Sequence, residues 1–269
     1  MPKYQKKATL LIRNIHKLYT MDAIATNKTC EGLILEHAFL AVHHDYILAI
    51  AKGDPTCYID SDTKIIEGDN LIIVPGFIDM GVLFPTIVYL KEHREYLLKI
   101  RHHLHCLSKS GVTTVRSLIS NEDEIDEAKK ELLTQRLGKW LQIRLIHDLL
   151  IREDIIGNQV VDCINPFEKK TINSHPFTLA TGDLHCDDIL LCARLLYRQG
   201  ISATSLLKGL TSDAAKVLNK QEIGVLKQKN QADFLLIQAN DIDELFEHMG
   251  SSTILSVYKA GILVNHYKN

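Results

Sequence analysis

Short apolar segments separated by polar turns fill the first 74 residues of the chain. Segments of this length, bounded by turn residues, are typical of β-strands. A polar break at Arg13 and Asn14 separates the first two, and His43–Asp45 is the predicted turn of a hairpin. We therefore predict a small β unit, with strands at Leu10–Ile12, Leu18–Thr20, Ala38–Val42, Tyr46–Ile50, Lys64–Ile66 and Leu71–Val74.

Helical and strand patterns alternate through the middle of the chain. Apolar residues recur there at helical spacing, and β-rich runs lie between the helical stretches. Strands that alternate with helices in this way indicate βα units around a parallel sheet. The predicted helices are Leu90–Leu107, Glu122–Leu137, Asp187–Arg198, a segment that Ser202 caps, and Ser212–Leu218; the predicted strands are Val112–Leu118, Leu141–Ile146, Val160–Ile164 and Phe177–Ala180.

The last part of the chain returns to a strand pattern. The simplest organisation is one β domain made of residues 1–74 and 219–269, into which a β/α domain of residues 75–218 is inserted. The predicted C-terminal elements are strands at Ala232–Gln238, Thr253–Lys259 and Ile262–Asn265, a helix at Ile242–Met249, and a turn at Ala260–Gly261.

Charge and composition narrow the class of protein. Of the 269 residues, 31 are Lys or Arg and 33 are Asp or Glu, so the formal charge of −2 offers no basic excess for nucleic acid. No apolar run approaches the roughly 18 residues that span a membrane, and the apolar stretch near the start is too short for a secretory signal. We expect a cytoplasmic protein whose six cysteines are thiols, because they include no CxxC pair.

Four ordered segments carry recognisable motifs: Val74–Asp79 (VPGFID), Ser110–Arg116 (SGVTTVR), Thr211–Leu218, and Glu222–Leu226 with Gln231–Phe234. Together they resemble the amidohydrolase superfamily, and the two ends of the chain most resemble its imidazolonepropionase family. The resemblance implies a TIM-type β/α barrel beside a β-sandwich built from both termini. It also implies a metal ion in the barrel mouth that activates water for attack on an amide or ring C–N bond.

Two features depart from the superfamily's pattern. The resemblance implies metal-ligating histidines two and four residues after Asp79, but Gly81 and Leu83 stand there, and neither side chain binds a metal. From Val74 to Leu218 the chain has 145 residues, whereas a full barrel takes about 250. We therefore predict an α/β fold with a shortened TIM-type barrel, which is either incomplete or covered at its open edge by a second copy in a homodimer.

One element of the family's site has a counterpart in this chain. The segment Leu179–Leu184 resembles the eighth barrel strand, which makes Asp183 a candidate catalytic aspartate and metal ligand. The alternative is that Asp183 caps the next helix or lies in an ordinary loop. A rebuilt metal site would draw on Asp183 together with His185, His147 or His175.

A cluster of histidines and a cysteine lies in the predicted helix that ends near Leu107. His103 and His105 point in different directions on a helix, so they cannot hold one ion together. His102 could share an ion with His105 or with Cys106, although a solvated helix face is the better interpretation of the pattern.

The sequence leaves three interpretations of function. The first is a degenerate amidohydrolase-like protein that lacks metal-dependent hydrolysis, needs no cofactor, and acts as a binding or structural protein, for example towards a small-molecule ligand. The second is a hydrolase of a cyclic amide or other non-peptide C–N bond with a rebuilt zinc or iron site. The third is an enzyme that uses the barrel mouth without metal. The missing histidines and the short barrel favour the first, because fold resemblance by itself does not establish activity.

Overall fold

The computed structural model describes residues 6–22, 34–82, 102, 105–117, 153–156, 159–164, 176–181, 188–250 and 253–266. The chain forms two compact units. The first unit combines two separate stretches of sequence, Met1–Gly76 and Lys220–Asn269, and the second unit is the intervening stretch Phe77–Asn219.

The described elements are numbered in chain order. The strands are β1 (Leu10–Tyr19), β2 (Ile34–His43), β3 (Tyr46–Lys52), β4 (Lys64–Glu67), β5 (Leu71–Pro75), β6 (Phe77–Val82), β7 (Val112–Ser117), β8 (Glu153–Ile156), β9 (Gln159–Ile164), β10 (Phe177–Leu179), β11 (Phe234–Gln238), β12 (Ile254–Lys259) and β13 (Ile262–His266). The helices are α1 (Ile189–Arg198), α2 (Ala203–Leu210), α3 (Ser212–Val217) and α4 (Ile242–Glu247).

The first unit is organised around one eight-stranded sheet. The strand order is β13-β12-β11-β5-β1-β2-β3, and β4 pairs with β1 beside this path. The two stretches of sequence meet where β5 pairs antiparallel with β11, from Pro75 opposite Phe234 to Leu71 opposite Gln238. The strands of both ends thus form one hydrogen-bonded sheet, and the predicted β-sandwich is not confirmed.

Apolar side chains cover both faces of this sheet. Successive residues of a strand point to opposite faces, so in β1 Leu10 and Ile12 join one core cluster while Leu11 joins the other. In β2, Leu40 and Phe39 divide in the same way. Burial on both faces explains the uninterrupted apolar runs at Leu10–Ile12 and Ala38–Val42.

Strand β1 corrects one prediction from the sequence. The polar pair Arg13 and Asn14 suggested a break between two strands, but the structure has one strand with a bulge between Ile12 and Ile15. Asn14 takes a φ of 55°, and the extra residue keeps apolar residues on the core side after the bulge. Both polar side chains bond to Glu67, with Arg13 Nε at 2.7 Å and Asn14 Nδ2 at 3.0 Å.

The Gln231–Phe234 motif in the first unit contains a buried carboxylate, that of Asp233. Asp233 is 3% exposed, and its Oδ2 lies 2.6 Å from Lys259 Nζ. Its Oδ1 accepts a hydrogen bond of 2.7 Å from the backbone N–H of Ala260, and Gln231 Nε2 donates to both oxygens. Asp233 therefore joins the start of β11 to the predicted turn between β12 and β13, which the structure confirms.

The second unit combines short sheets with helices. β6 and β7 are parallel, as are β9 and β10, whereas β8 and β9 are antiparallel. This unit is therefore not purely parallel as predicted, because the strand β8, which the sequence pattern did not indicate, returns directly into β9. The predicted helices at Asp187–Arg198, after Ser202 and at Ser212–Leu218 are confirmed with bounds one to two residues different. The predicted helix Glu122–Leu137 and strand Leu141–Ile146 lie outside the described residues.

Local sequence explains where the helices of the second unit begin. Asp188 caps α1 by accepting a hydrogen bond from the N–H of Leu191, and Ser202 caps α2 through the N–H of Ser205. α2 packs closely on β10. A Cβ atom placed on Gly209 would lie 2.9 Å from the ring of Phe177. Glycine is therefore required at this contact for steric reasons.

No helix within the described ranges is long and apolar enough to cross a membrane.

Candidate functional site

The middle of β6 carries a fully buried carboxylate. Asp79 is 0% exposed and lies in a strand whose six residues are all buried. Its Oδ1 accepts hydrogen bonds from the N–H groups of Gly81, at 3.0 Å, and Thr181, at 3.1 Å. Its Oδ2 accepts a bond of 2.7 Å from the hydroxyl of Thr181. Asp79 therefore connects the middle of β6 to Thr181, which lies two residues after the end of β10.

The protonation of Asp79 reflects opposing influences. Burial raises its pKa from 3.8 to about 6, because a carboxylate loses hydration inside the protein. The hydrogen bonds from Gly81 and Thr181 and the positive charge of Arg116 act in the opposite direction. Arg116 is 3% exposed and its Nε donates a bond of 2.7 Å to the carbonyl of Met80. Asp79, Thr181 and Arg116 thus form a buried polar cluster.

A further buried hydroxyl lies close to this cluster in sequence. Thr178, in β10, is 0% exposed, and its Oγ1 has no hydrogen-bond partner within the described part of the chain. Its neighbours Phe177 and Leu179 contact Gly209 of α2, so Thr178 points to the opposite side of the strand. Buried hydroxyls usually have partners, which makes Thr178 a candidate contact for a bound molecule.

The first unit has an open surface cavity of about 610 Å³. Its volume is within the usual range of ligand pockets, about 300–1,000 Å³. Tyr46 forms part of the wall, and Lys6 Nζ donates a bond of 3.0 Å to the Tyr46 hydroxyl. Charges of both signs surround the opening, contributed by Lys6, Lys229, Asp45 and Glu222.

The residues predicted for a metal site are mostly outside the described ranges. Asp183, His185, His147, His175 and Leu83 all fall there, and their roles stay predictions. Gly81 is described, and its backbone N–H bonds to Asp79. The sequence analysis did not identify Asp79, Thr181 and Arg116 as a site. The available signal was that each of two motif segments ends in a charged residue, Asp79 or Arg116.

The described residues at the end of β6 do not fit a metal ion. Gly81 has no side chain to donate an electron pair, and three protein donors already occupy the oxygens of Asp79. Across the described ranges, no three His, Cys, Asp or Glu side chains are grouped as metal ligands.

Two curated proteins resemble this chain in sequence. An imidazolonepropionase of Caldanaerobacter subterraneus subsp. tengcongensis is 30% identical over 150 residues, which cover 52% of this chain and 33% of that protein. An imidazolonepropionase of Streptococcus pyogenes serotype M3 is 24% identical over 264 residues, which cover 90% of this chain and 59% of that protein. The chain thus spans between one third and about three fifths of these relatives. It matches no protein-family model.

Solved structures show the fold. An adenosine deaminase from Xanthomonas campestris with bound zinc has a TM-score of 0.66 at 12% identity, covering 96% of this chain and 93% of that one. A Xaa-Pro dipeptidase with methionine bound in its active site has a TM-score of 0.64 at 11% identity, covering 94% and 99%. These neighbours are TIM-barrel proteins of the amidohydrolase superfamily. In sequence and in fold, the chain is amidohydrolase-like.

Proposed function

We propose that the chain has lost metal-dependent hydrolysis and acts as a binding or structural protein. The observation that supports this proposal is the arrangement at the end of β6. Gly81 stands where the resemblance implies the first metal-ligating histidine, and the adjacent carboxylate of Asp79 is engaged with protein donors. The position that the resemblance assigns to a metal-ligating histidine here contributes only a backbone N–H, which bonds to Asp79.

The binding role is supported by two features of the described residues. The cavity beside Tyr46 has the size of a small-molecule pocket and groups of both charges at its opening. The Thr178 hydroxyl is a buried group that a ligand could satisfy. The proposal therefore includes a small polar ligand and no resident cofactor.

For the structural role, we propose that the chain forms a homodimer. It rests on the shortened barrel predicted from the sequence, whose open strand edge a second copy would cover. Light scattering of the purified chain tests it, and a monomer at micromolar concentration would contradict it.

The proposal is tested by assaying hydrolysis with metal supplied. The purified chain is incubated with Zn²⁺, Fe²⁺ or Mn²⁺ and a panel of cyclic amides, including the imidazolone ring that the names of the two relatives suggest. We expect no turnover above that of the metal in buffer. Turnover that a chelator abolishes and metal restores would overturn the proposal and favour the alternative, a rebuilt zinc or iron site around Asp183.

The same panel of cyclic amides tests the third interpretation, an enzyme that acts without metal. Turnover that persists in the presence of chelator would support it. A D183N variant then tests the metal-dependent alternative, which gives Asp183 a catalytic and metal-ligating role.

A further inference from the structure

Two metal-ligating side chains lie together on a helical segment of the second unit. His102 and residues 105–109 are helical, and His102 and Cys106 are four residues apart, which places them on one helix face. Cys106 Sγ lies 3.6 Å from His102 Nε2. His102 is exposed and Cys106 is half-buried, so solvent reaches the pair.

The separation of these atoms matches the geometry of a metal chelate. Zinc binds thiolate sulfur at about 2.3 Å and imidazole nitrogen at about 2.0–2.1 Å, and a tetrahedral angle then places the two ligand atoms about 3.6 Å apart. The two ligand atoms therefore already lie at the separation that one shared ion requires. Helix geometry holds both of their backbones, which reduces the conformational entropy lost on binding.

We propose that His102 Nε2 and Cys106 Sγ form a two-ligand site for a divalent transition metal of the zinc class, with water in the remaining coordination positions. Imidazole and thiolate together select zinc-like ions over magnesium or calcium, which prefer oxygen. The site lies outside the Asp79 cluster, and the proposal is independent of whether the chain hydrolyses anything.

Binding changes the protonation of one ligand. The thiol of Cys106 loses its proton to solvent as the sulfur–metal bond forms, and neutral His102 contributes the electron pair of Nε2. One ion therefore enters as one proton leaves, with no change of oxidation state. Because only two protein ligands contribute, the ion exchanges readily and is removed by a chelator.

The test is a titration of the full chain with Co²⁺ after treatment with reductant and chelator, and removal of both. Cobalt bound to thiolate gives a charge-transfer band in the near ultraviolet, which reports sulfur ligation directly. We expect the band to rise to one equivalent and to be displaced by Zn²⁺. C106S should lose the band, and H102Q should weaken Co²⁺ binding by about ten-fold or more, because one of two ligands is gone.

Matched controls separate this pair from other groups. C57S removes an exposed cysteine of the first unit, and H105Q removes a neighbouring imidazole from the same helical segment. Both should keep the band and bind Co²⁺ within about two-fold of the wild type. A band that survives in C106S, a band lost in C57S, or equal weakening by H105Q and H102Q would each overturn the proposal. Urea unfolding of each variant checks that the fold is retained.

Discussion

Thr181 Oγ1 donates a hydrogen bond of 2.7 Å to Asp79 Oδ2, and so links β6 to the segment that follows β10, 102 residues further along the chain. The N–H of Thr181 adds a second bond, to Asp79 Oδ1, at 3.1 Å. Both residues are at most 1% exposed, so water cannot replace either donor without opening the unit. This pair is therefore an internal connection of the second unit, and its contribution can be measured.

Replacing Thr181 with valine should destabilise the chain. The variant T181V keeps the shape of the side chain but removes the hydroxyl donor to a buried carboxylate, which costs about 1–3 kcal/mol. T113V is the matched control, because Thr113 is equally buried but its hydroxyl makes only a long bond of 3.4 Å, to the carbonyl of Phe77. Urea unfolding at pH 7 measures both variants. Equal losses for the two would argue against a special role for the Asp79 link.

Asp79 should make the stability of the chain depend on pH. Its pKa in the folded state is about 6, above the ordinary value of 3.8, so the folded chain holds this proton more tightly than the unfolded chain. The resulting stabilisation is fully present below pH 3.8 and is lost as the pH rises through 6. A shift of about two units corresponds to roughly 3 kcal/mol.

The variant D79N isolates this contribution. An asparagine can still accept from the N–H groups of Gly81 and Thr181 through its carbonyl oxygen, and it does not ionise. Relative to the wild type, D79N should therefore gain free energy of unfolding as the pH rises from 4 to 7. Guanidinium unfolding of both proteins across this range gives the difference, in which the titration of histidines common to both cancels. Parallel profiles would show that Asp79 does not titrate in this window.

Turns and strands could be predicted from the sequence because their signals are local. Ala260–Gly261 was predicted as a turn between two strand patterns, and the structure has φ values of 49° and 73° there. The Tyr46–Ile50 strand and its hairpin turn were accessible for the same reason. Each signal involves only neighbouring residues and the alternation of apolar positions.

The link between Asp79 and Thr181 was not accessible, because no local pattern pairs residues that are 102 positions apart. The bulge at Asn14 was misread for a related reason: a polar residue inside a strand resembles a strand end until its partner, Glu67, is known. The candidate site was predicted around Asp183 by resemblance, whereas the described cluster depends on which strand ends the fold brings together.

The buried ion pair of the first unit should be far more important for stability than an exposed one. Lys259 Nζ and Asp233 Oδ2 lie 2.6 Å apart with side chains 4% and 2% exposed. K259M leaves the Asp233 charge buried with fewer donors, which costs about 3–5 kcal/mol. K216M removes a pair of 2.8 Å in which Lys216 is 54% exposed, and should cost no more than about 1 kcal/mol. Thermal unfolding compares them, and similar midpoints would contradict the expectation.

Gly261 should be difficult to replace with any other residue. Its φ is 73°, and a Cβ atom there would overlap the carbonyl oxygen of His44 in the hairpin turn. The N–H of Gly261 also donates a bond of 2.8 Å to the carbonyl of Ala232, so the backbone cannot move away without losing that bond. The variant G261A therefore combines conformational strain with a backbone clash.

Gly53 provides the control, because its φ is 103° but no atom lies within 4 Å of a Cβ placed there. G53A should show only the strain of positive φ, about 1–2 kcal/mol. G261A should lose at least about 2 kcal/mol more than G53A, because the clash with a backbone atom cannot be relieved by a side-chain rotation. Urea unfolding measures both. If G261A were no less stable than G53A, the close approach of the two turns would not exist in solution.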